Sequence, residues 1–218
     1  MRRIVVAAVF CAAIGLSPSV AGAGPDDTFI FHFKGRAGSV VLTDCPAGAP
    51  VGTECRAVSV FAFEQRVNED GEQLGGTGFN VSLFEVTIVG GEEGFIAEEI
   101  GFGFTDDATV KINGSLSKGA ASATDVALCD DFLCPPGAPE SISVSVRWSG
   151  FGPTSSFSSH DMFDDDVCFF NSRSSGALRF ATAVGEVDGV AWVDPNLPDF
   201  PATLQSDAFG TIERCRLT

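Results

Sequence analysis

The sequence predicts an all-β protein, a single-domain antiparallel β-sandwich or jelly roll stapled by disulfides. The clearest observation is the stretch 140–152, where Ile142, Val144, Val146 and Trp148 alternate with serine and arginine. A strict period of two is typical of a half-buried strand, because successive side chains point to opposite faces of a sheet. Similar short runs recur along the chain between glycine, proline, asparagine and aspartate turn signals. Six cysteines follow the N-terminal segment.

The N-terminus predicts a secretory signal peptide over residues 1–23. A basic start is followed by the apolar run Ile4–Leu16, and Ala21-Gly22-Ala23 has the small-x-small pattern of a cleavage site. The apolar run is too short to cross a bilayer, which needs about 20 residues, and no later segment predicts a transmembrane helix. We expect residues 24–218 to form one secreted, extracellular domain.

The chain is strongly acidic, with a formal net charge of -16 over 218 residues. Loss of Arg2 and Arg3 with the signal peptide would change this value by two, from -16 to about -18. Such a charge repels phosphate backbones and disfavours nucleic acid as a partner. The expected partner is an extracellular ligand or protein whose identity the sequence does not give.

An even number of cysteines in an exported chain favours disulfides over free thiols. Fifteen pairings of six cysteines are possible. Proximity suggests two local pairs and, by elimination, a third that closes the longest loop: Cys45–Cys55, Cys129–Cys134 and Cys168–Cys215. The alternative is a zinc site formed by Cys129, Cys134 and His160, although the spacing between these cysteines is loose for zinc.

The first half of the chain contains the most regular strand patterns. Thr28–Lys34 places three phenylalanines on one face and His32 on the other. We expect Asn68–Gly78, which is polar and rich in glycine, to be an exposed connection. Gly90–Gly94 predicts a turn between two long strands. The predicted strands are Thr28–Lys34, Ser39–Asp44, Arg56–Arg66, Phe79–Val89, Phe95–Thr105 and Thr109–Ile112.

Turn signals also divide the second half. Asn113-Gly114 and Asp188-Gly189 predict tight hairpin turns, because both dipeptides tolerate positive φ. Ser174–Gly176 is expected to separate two strands. Ala120–Leu128 is expected to be a strand, with one helical turn as the alternative. The other predicted strands are the strand from Glu140, Val167–Arg173, Ala177–Val187, Val190–Val193, Thr203–Ser206 and Gly210–Arg216.

One acidic segment near residue 160 predicts a calcium site. Ca²⁺ binds six to eight oxygens, often from loop carboxylates in extracellular proteins. The EF-hand spacing is missing, and a solvated loop is the simpler interpretation. The candidate ligands are Asp161, Asp164, Asp165 and Asp166.

The sequence offers little for catalysis. His160 stands beside Asp161, but neighbours on an extended chain point apart, and no Gly-x-Ser-x-Gly motif is present. The alternative function is a secreted glycosidase-like hydrolase that uses paired carboxylates on a jelly-roll face. Glu85 with Glu98 or Glu99 is the candidate pair. We favour a non-enzymatic binding or structural role.

A faint resemblance comes from three groups of residues. They are Val144-x-Val146-x-Trp148-x-Gly150-x-Gly152, then His160-Asp161-x-Phe163, then the run from Ser174-Ser175-Gly176 through Arg179 and Ala181-Thr182-Ala183 to Gly185. In these residues the chain resembles uncharacterised secreted bacterial β-proteins of unknown function. The resemblance implies export and a β fold, and it implies no activity.

Overall fold

The computed structural model describes residues 28–90, 94–129, 140–164, 168–195 and 201–215. All strand pairings between its elements are antiparallel, which confirms the predicted fold class. Within the described ranges no helix is long and apolar enough to cross a membrane. The strands are β1 Thr28–Thr43, β2 Glu54–Glu69, β3 Glu72–Ile88, β4 Phe95–Thr105, β5 Ala108–Ile112, β6 Lys118–Leu128, β7 Glu140–Gly150, β8 Ser155–Asp164, β9 Cys168–Val187, β10 Val190–Val193 and β11 Thr203–Cys215.

The strands form one continuous sheet in the order β4-β3-β2-β1-β10-β9-β7-β6-β5. β11 pairs with residues 28–39 of β1 and residues 168–180 of β9. β10 lies between the same two strands nearer their C-terminal ends, where it pairs with Thr43 of β1 and residues 184–187 of β9. These four strands therefore make a closed ring of pairing. β8 pairs with β9 at the margin of the sheet.

A second contact joins β4 to the end of β6. Phe102 and Cys129 exchange two backbone hydrogen bonds, with N–O distances of 3.0 and 2.8 Å. Gly103 permits this approach, because a Cβ there would lie 2.6 Å from the carbonyl oxygen of Ala127. The two halves of the sheet can then face each other over a common core.

The core contains side chains from both halves of the sheet. Trp148 is 1% exposed, as the alternation in β7 predicts, and its Nε1 donates a hydrogen bond to the carbonyl of Ser39 at 3.1 Å. Its ring packs on Gly38. The fully buried side chains are Trp148, Phe79, Leu42, Leu116, Leu204, Val58, Val60, Val81, Val126, Val144 and Val146.

Three predicted interruptions are wrong, because β1, β9 and β11 each run without a break. The small residues in them are paired on both sides, so neighbouring strands hold their backbone extended. The ring of Phe157 lies over its cross-strand partner Gly176, as Phe63 does over Gly78. An aromatic side chain across a glycine compensates for the packing that glycine lacks.

The predicted connection at 68–78 is exposed over residues 70–76, as expected, but most of it belongs to strands rather than to a loop. Asp70 and Gly71, with φ of 48° and 91°, form a tight turn, and β3 begins at Glu72. Positive φ at both residues is the requirement of the hairpin turn that matches strand twist. The same geometry confirms the turn at Asp188-Gly189, with φ of 50° and 77°.

The turn predicted at Asn113-Gly114 is longer than two residues. Asn113 N donates to the carbonyl of Lys118 across the loop, and the Asn113 Oδ1 accepts hydrogen bonds from Ser117 N and Lys118 N. Leu116, rather than Gly114, has the positive φ of 52°. Its side chain is 1% exposed, so burial of Leu116 favours the wider loop.

Two of the predicted disulfides are present. Cys45–Cys55 closes the loop between β1 and β2, and Cys168–Cys215 joins the start of β9 to the end of β11. Cys134 lies outside the described residues, so its pairing with Cys129 stays a prediction. The predicted signal peptide, residues 1–23, also lies outside them.

Candidate functional site

The core face of the sheet continues beyond the core as an open polar surface. On β1, Leu42 and Val40 are buried, whereas Lys34 and His32, an even number of residues along the strand, are exposed. Even spacing keeps side chains on one face of a strand. The basic residues therefore lie on the same face as the core, where the opposite half of the sheet no longer covers it.

This surface is an open trough of about 1450 Å³ that crosses β3, β2, β1, β11, β9 and β8. Its centre is β11, which contributes the small residues Ala208 and Gly210. We call it the cationic trough, defined by five basic side chains on both sides of β11: His32, Lys34, Arg66, His160 and Arg173.

Two cations of the trough lie directly opposite each other. Lys34 on β1 pairs in register with Arg66 on β2, and neither forms an ion pair with any residue that the structure describes. In the next row Arg36 forms an ion pair with Glu64 at 3.1 Å. Like charges placed opposite each other destabilise a sheet, so an anion between Lys34 and Arg66 would remove an unfavourable interaction.

Both histidines of the chain lie in one row of the trough. The row runs His32, Gly210, Arg173 and His160 across β1, β11, β9 and β8. A Cβ at Gly210 would lie 2.9 Å from Nδ1 of His32, so the absent side chain gives the imidazole room to extend over β11. His160 Nε2 lies 3.2 Å from Oδ1 of Asn171.

The charge of the trough is opposite to that of the chain. Among the described residues that line it, none carries a carboxylate, whereas the whole chain has a net charge of -16. Glu64, two residues from Arg66 on the same face, is paired with Arg36. Asp161 and Asp207 lie on the other face of the sheet by strand alternation. Burial raises the pKa of the Asp207 carboxyl above 3.8.

The predicted calcium ligands have two different placements. Asp161 and Asp164 lie on β8 rather than in a loop. A separation of three residues on a strand directs their side chains to opposite faces, so these two do not converge on one ion. Asp165 and Asp166 lie outside the described residues. Calcium binding by this segment stays a prediction that a thermal melt with and without calcium can test.

The candidate carboxylate pair is brought together outside the trough. Glu85 on β3 lies opposite Glu98 on β4, and a bulge between Leu83 and Phe84 precedes them. Both carboxylates are exposed, as is Glu99. Glu85 shares a face with the buried residues Val81 and Leu83, and this alternation predicts an apolar setting for it, but its own side chain is exposed. Its other neighbour is Arg56 on β2.

Clusters of potential metal ligands in the described part of the chain contain the disulfide cysteines. They are Asp44 with Cys45 and Cys55, and Glu213 with Cys168 and Cys215. Cysteines joined in a disulfide are not thiolate ligands for zinc. His160 belongs to neither cluster, and the proposed zinc partner Cys134 lies outside the described residues.

The trough itself is not evident from any one segment of the sequence. Its signal is weak and distributed, since basic residues occupy the polar side of the alternating strands, as at His32 and Lys34 opposite the phenylalanines. Local alternation identifies the polar face of each strand. It does not show that six strands bring those faces together.

Comparison with known proteins gives no sequence family. No family model and no curated protein matches the chain. Among solved structures, it is similar to an acetoacetate decarboxylase-like enzyme from Sphingomonas wittichii RW1. The sequence identity is 7% and the TM-score 0.32, over 86% of this chain and 92% of that chain. A likeness at this level carries no functional argument.

Proposed function

We propose that this protein is an exported, non-enzymatic binding protein that holds a small anionic ligand in the cationic trough. The observation that carries the proposal is the collection of five basic side chains around an open space without a carboxylate in its described lining. The chain has a net charge of -16 and contains only 13 lysine and arginine residues. Their concentration on one face favours a negatively charged ligand.

The positions of the basic side chains suggest a ligand with more than one anionic group. Lys34 and Arg66 lie on one side of β11, and Arg173 and His160 lie on the other. Neighbouring strands are about 4.8 Å apart, so β1 and β9 are separated by roughly 10 Å across Ala208 and Gly210. Arginine binds carboxylates and phosphates through two parallel hydrogen bonds. A di- or polycarboxylate, or a compound with two phosphates, would reach both sides.

Titration calorimetry on the oxidised protein tests the proposal with citrate, succinate, pyrophosphate, inorganic phosphate and acetate. We expect saturable binding of a ligand with two separated charges, and weaker binding of acetate. The carboxylate and phosphate probes distinguish the two chemistries. Arg66→Gln and Arg173→Gln should each weaken binding about tenfold or more, since a hydrogen bond to a charged group contributes about 1.5–3 kcal/mol.

Arg56→Gln is the matched control. Arg56 is exposed and lies on the same strand as Arg66, ten residues or about 33 Å away. We expect it to leave binding unchanged. Absence of saturable binding for every probe would reject the proposal, as would an equal loss in Arg56→Gln, which would indicate a general charge effect.

Export of the protein is part of the proposal. The basic, apolar and small-residue segments at the N-terminus support a signal peptide. The disulfides Cys45–Cys55 and Cys168–Cys215 support passage through an oxidising compartment. Fractionation of cells that express the full chain tests this part, with the N-terminus of the exported form expected near Gly24.

The alternative function, a carboxylate-dependent hydrolase, has less support. Glu85 and Glu98 are opposite each other on neighbouring strands, which meets one requirement for a catalytic pair. Both are exposed, and neither lines the trough. A general acid of this class needs an environment that raises its pKa, which an apolar pocket supplies.

A further inference from the structure

β8 is an edge strand that no other described part of the chain covers. All ten of its residues are exposed, including Phe157 at 56% and Phe163 at 61%. Among the described strands it pairs with β9 alone. Natural edge strands are commonly protected by charged side chains, proline or a bulge. β8 contains no lysine or proline and pairs with β9 without a register shift, and its only acidic residues are Asp161 and Asp164.

We propose that β8 pairs antiparallel with β8 of a second copy of this chain, with His160 on the two-fold axis. This proposal does not depend on what the trough binds. An axis perpendicular to the sheet places the same faces of the two copies side by side. A residue that precedes His160 by a given number of positions in one copy then lies opposite the residue that follows His160 by the same number in the other copy.

The sequence of β8 is self-complementary in this register. On the outer face, Phe157 of each copy lies opposite Phe163 of the other, so two aromatic pairs form across the interface. Asp161 lies opposite Ser159. Cross-strand aromatic pairs each contribute roughly 0.2–1 kcal/mol relative to alanine.

The inner face of β8 fits as well. Asp164 lies opposite Ser156 of the other copy, so no two carboxylates meet. A shift of the axis by one residue would place Asp161 opposite its own copy, and like charges at that position are unfavourable. The preferred register is therefore set by the aspartates and the phenylalanines together.

The dimer would join the two troughs into one surface. His160 lines the trough at its β8 side, and in the dimer it lies beside His160 of the second copy. Each trough then gains an imidazole from its partner. The ring of Phe157 lies over Gly176 of its own chain.

Cysteine cross-linking tests the register in the oxidised exported form of the protein, residues 24–218, which lacks Cys11. Residues directly opposite in antiparallel strands have Cα atoms about 4.5 or 5.5 Å apart, within the range of a disulfide. We expect His160→Cys to form a covalent dimer under mild oxidation. Ser156→Cys is the matched control on the same face, because in this register the two copies of residue 156 are about 26 Å apart. Equal cross-linking of the two variants would reject the register.

Light scattering coupled to size-exclusion chromatography tests the dimer without cysteine substitutions. We expect the parent protein to have twice the mass of one chain, and Phe163→Lys to be monomeric. Phe104→Lys is the control, since Phe104 is 55% exposed and lies on β4, away from β8. Circular dichroism shows whether each variant is folded. A monomeric parent protein at all concentrations, or a dimer that Phe163→Lys leaves intact, would refute the proposal.

Discussion

At the scale of single residues, Gly103 shows how an absent side chain permits a contact between distant strands. A Cβ at this position would lie 2.6 Å from the carbonyl oxygen of Ala127 and 2.8 Å from Cγ1 of Val126. The backbone oxygen cannot move aside without displacing β6. The Phe102–Cys129 contact therefore depends on glycine beside it.

We expect Gly103→Ala to lower the free energy of unfolding by about 1–3 kcal/mol, the usual cost of an added methyl group in a packed site. Chemical denaturation measures the change. Gly76→Ala is the control, because a Cβ at Gly76 would meet nothing within 4 Å. That substitution should leave stability unchanged or slightly increased, since alanine restricts the unfolded chain. Equal effects at the two positions would contradict the explanation.

Asp207 allows a prediction on pH. Burial raises the pKa of its carboxyl in the folded protein above 3.8. Its contribution to stability is therefore fully present below pH 3.8 and is lost as the pH rises through the folded-state pKa. We expect Asp207→Asn to melt at a higher temperature than the parent protein at neutral pH and at the same temperature below pH 3.8.

Melting temperatures of both proteins across this pH range measure the effect of Asp207. Asp106→Asn is the control for loss of one negative charge, because Asp106 is exposed and its side chain forms no hydrogen bond with the described residues. If Asp207→Asn is less stable than the parent protein at neutral pH, the charged form of Asp207 is stabilising and the explanation is wrong.

At the scale of elements, two disulfides fix different parts of the sheet. Cys45–Cys55 has a sequence separation of 10, and Cys168–Cys215 has one of 47. The longer loop loses more freedom in the unfolded chain when it is closed. The second disulfide also holds β9 against β11, the strand at the centre of the trough.

We expect the double substitution of Cys168 and Cys215 by serine to lower the free energy of unfolding by about 4 kcal/mol, and that of Cys45 and Cys55 by roughly 3 kcal/mol, in the chain-entropy model. Denaturation of the oxidised proteins compares the two variants. Loss of the Cys168–Cys215 disulfide should also weaken ligand binding in the trough, because this disulfide holds β9 against β11. The reverse order of stability would show that native contacts, and not loop length, set the effects.

At the scale of the whole molecule, charge separation is the main feature. Asp and Glu outnumber Lys and Arg by 29 to 13, yet the trough gathers Lys34, Arg66 and Arg173 together with both histidines of the chain. The field of the acidic surface opposes the approach of an anion, whereas the trough attracts it at short range. The cations of the trough, rather than the acidic surface, should therefore determine how the binding affinity changes with salt concentration.

We expect the affinity of the trough for a dianion to fall as salt rises, because the cations are exposed to solvent and screened by ions. Calorimetry with succinate or pyrophosphate at increasing sodium chloride gives the slope. Arg66→Gln should make the slope shallower, while Arg56→Gln leaves it as in the parent protein. An affinity that rises with salt would show that the acidic surface controls binding and would contradict the local explanation.

The sequence predicts the parts of this fold that local patterns determine. Alternation in β7 predicts that Trp148 is buried, and Asp188-Gly189 predicts a tight turn. Prediction from local patterns fails at Ser174–Gly176. These small residues predict an interruption, but they lie within β9 and are paired on both sides. Strand continuity there depends on neighbours far away in the sequence.

The sequence by itself determined the all-β class and the polar side of each strand, because both depend on the alternation of apolar and polar residues. It suggested the pairs Cys45–Cys55 and Cys168–Cys215, which the structure confirms. Only the tertiary structure decided that β11 lies between β1 and β9 and brings Lys34, Arg66 and Arg173 around one open space. The physical reason is that strand pairing joins residues more than a hundred positions apart, and no local pattern specifies which strands become neighbours.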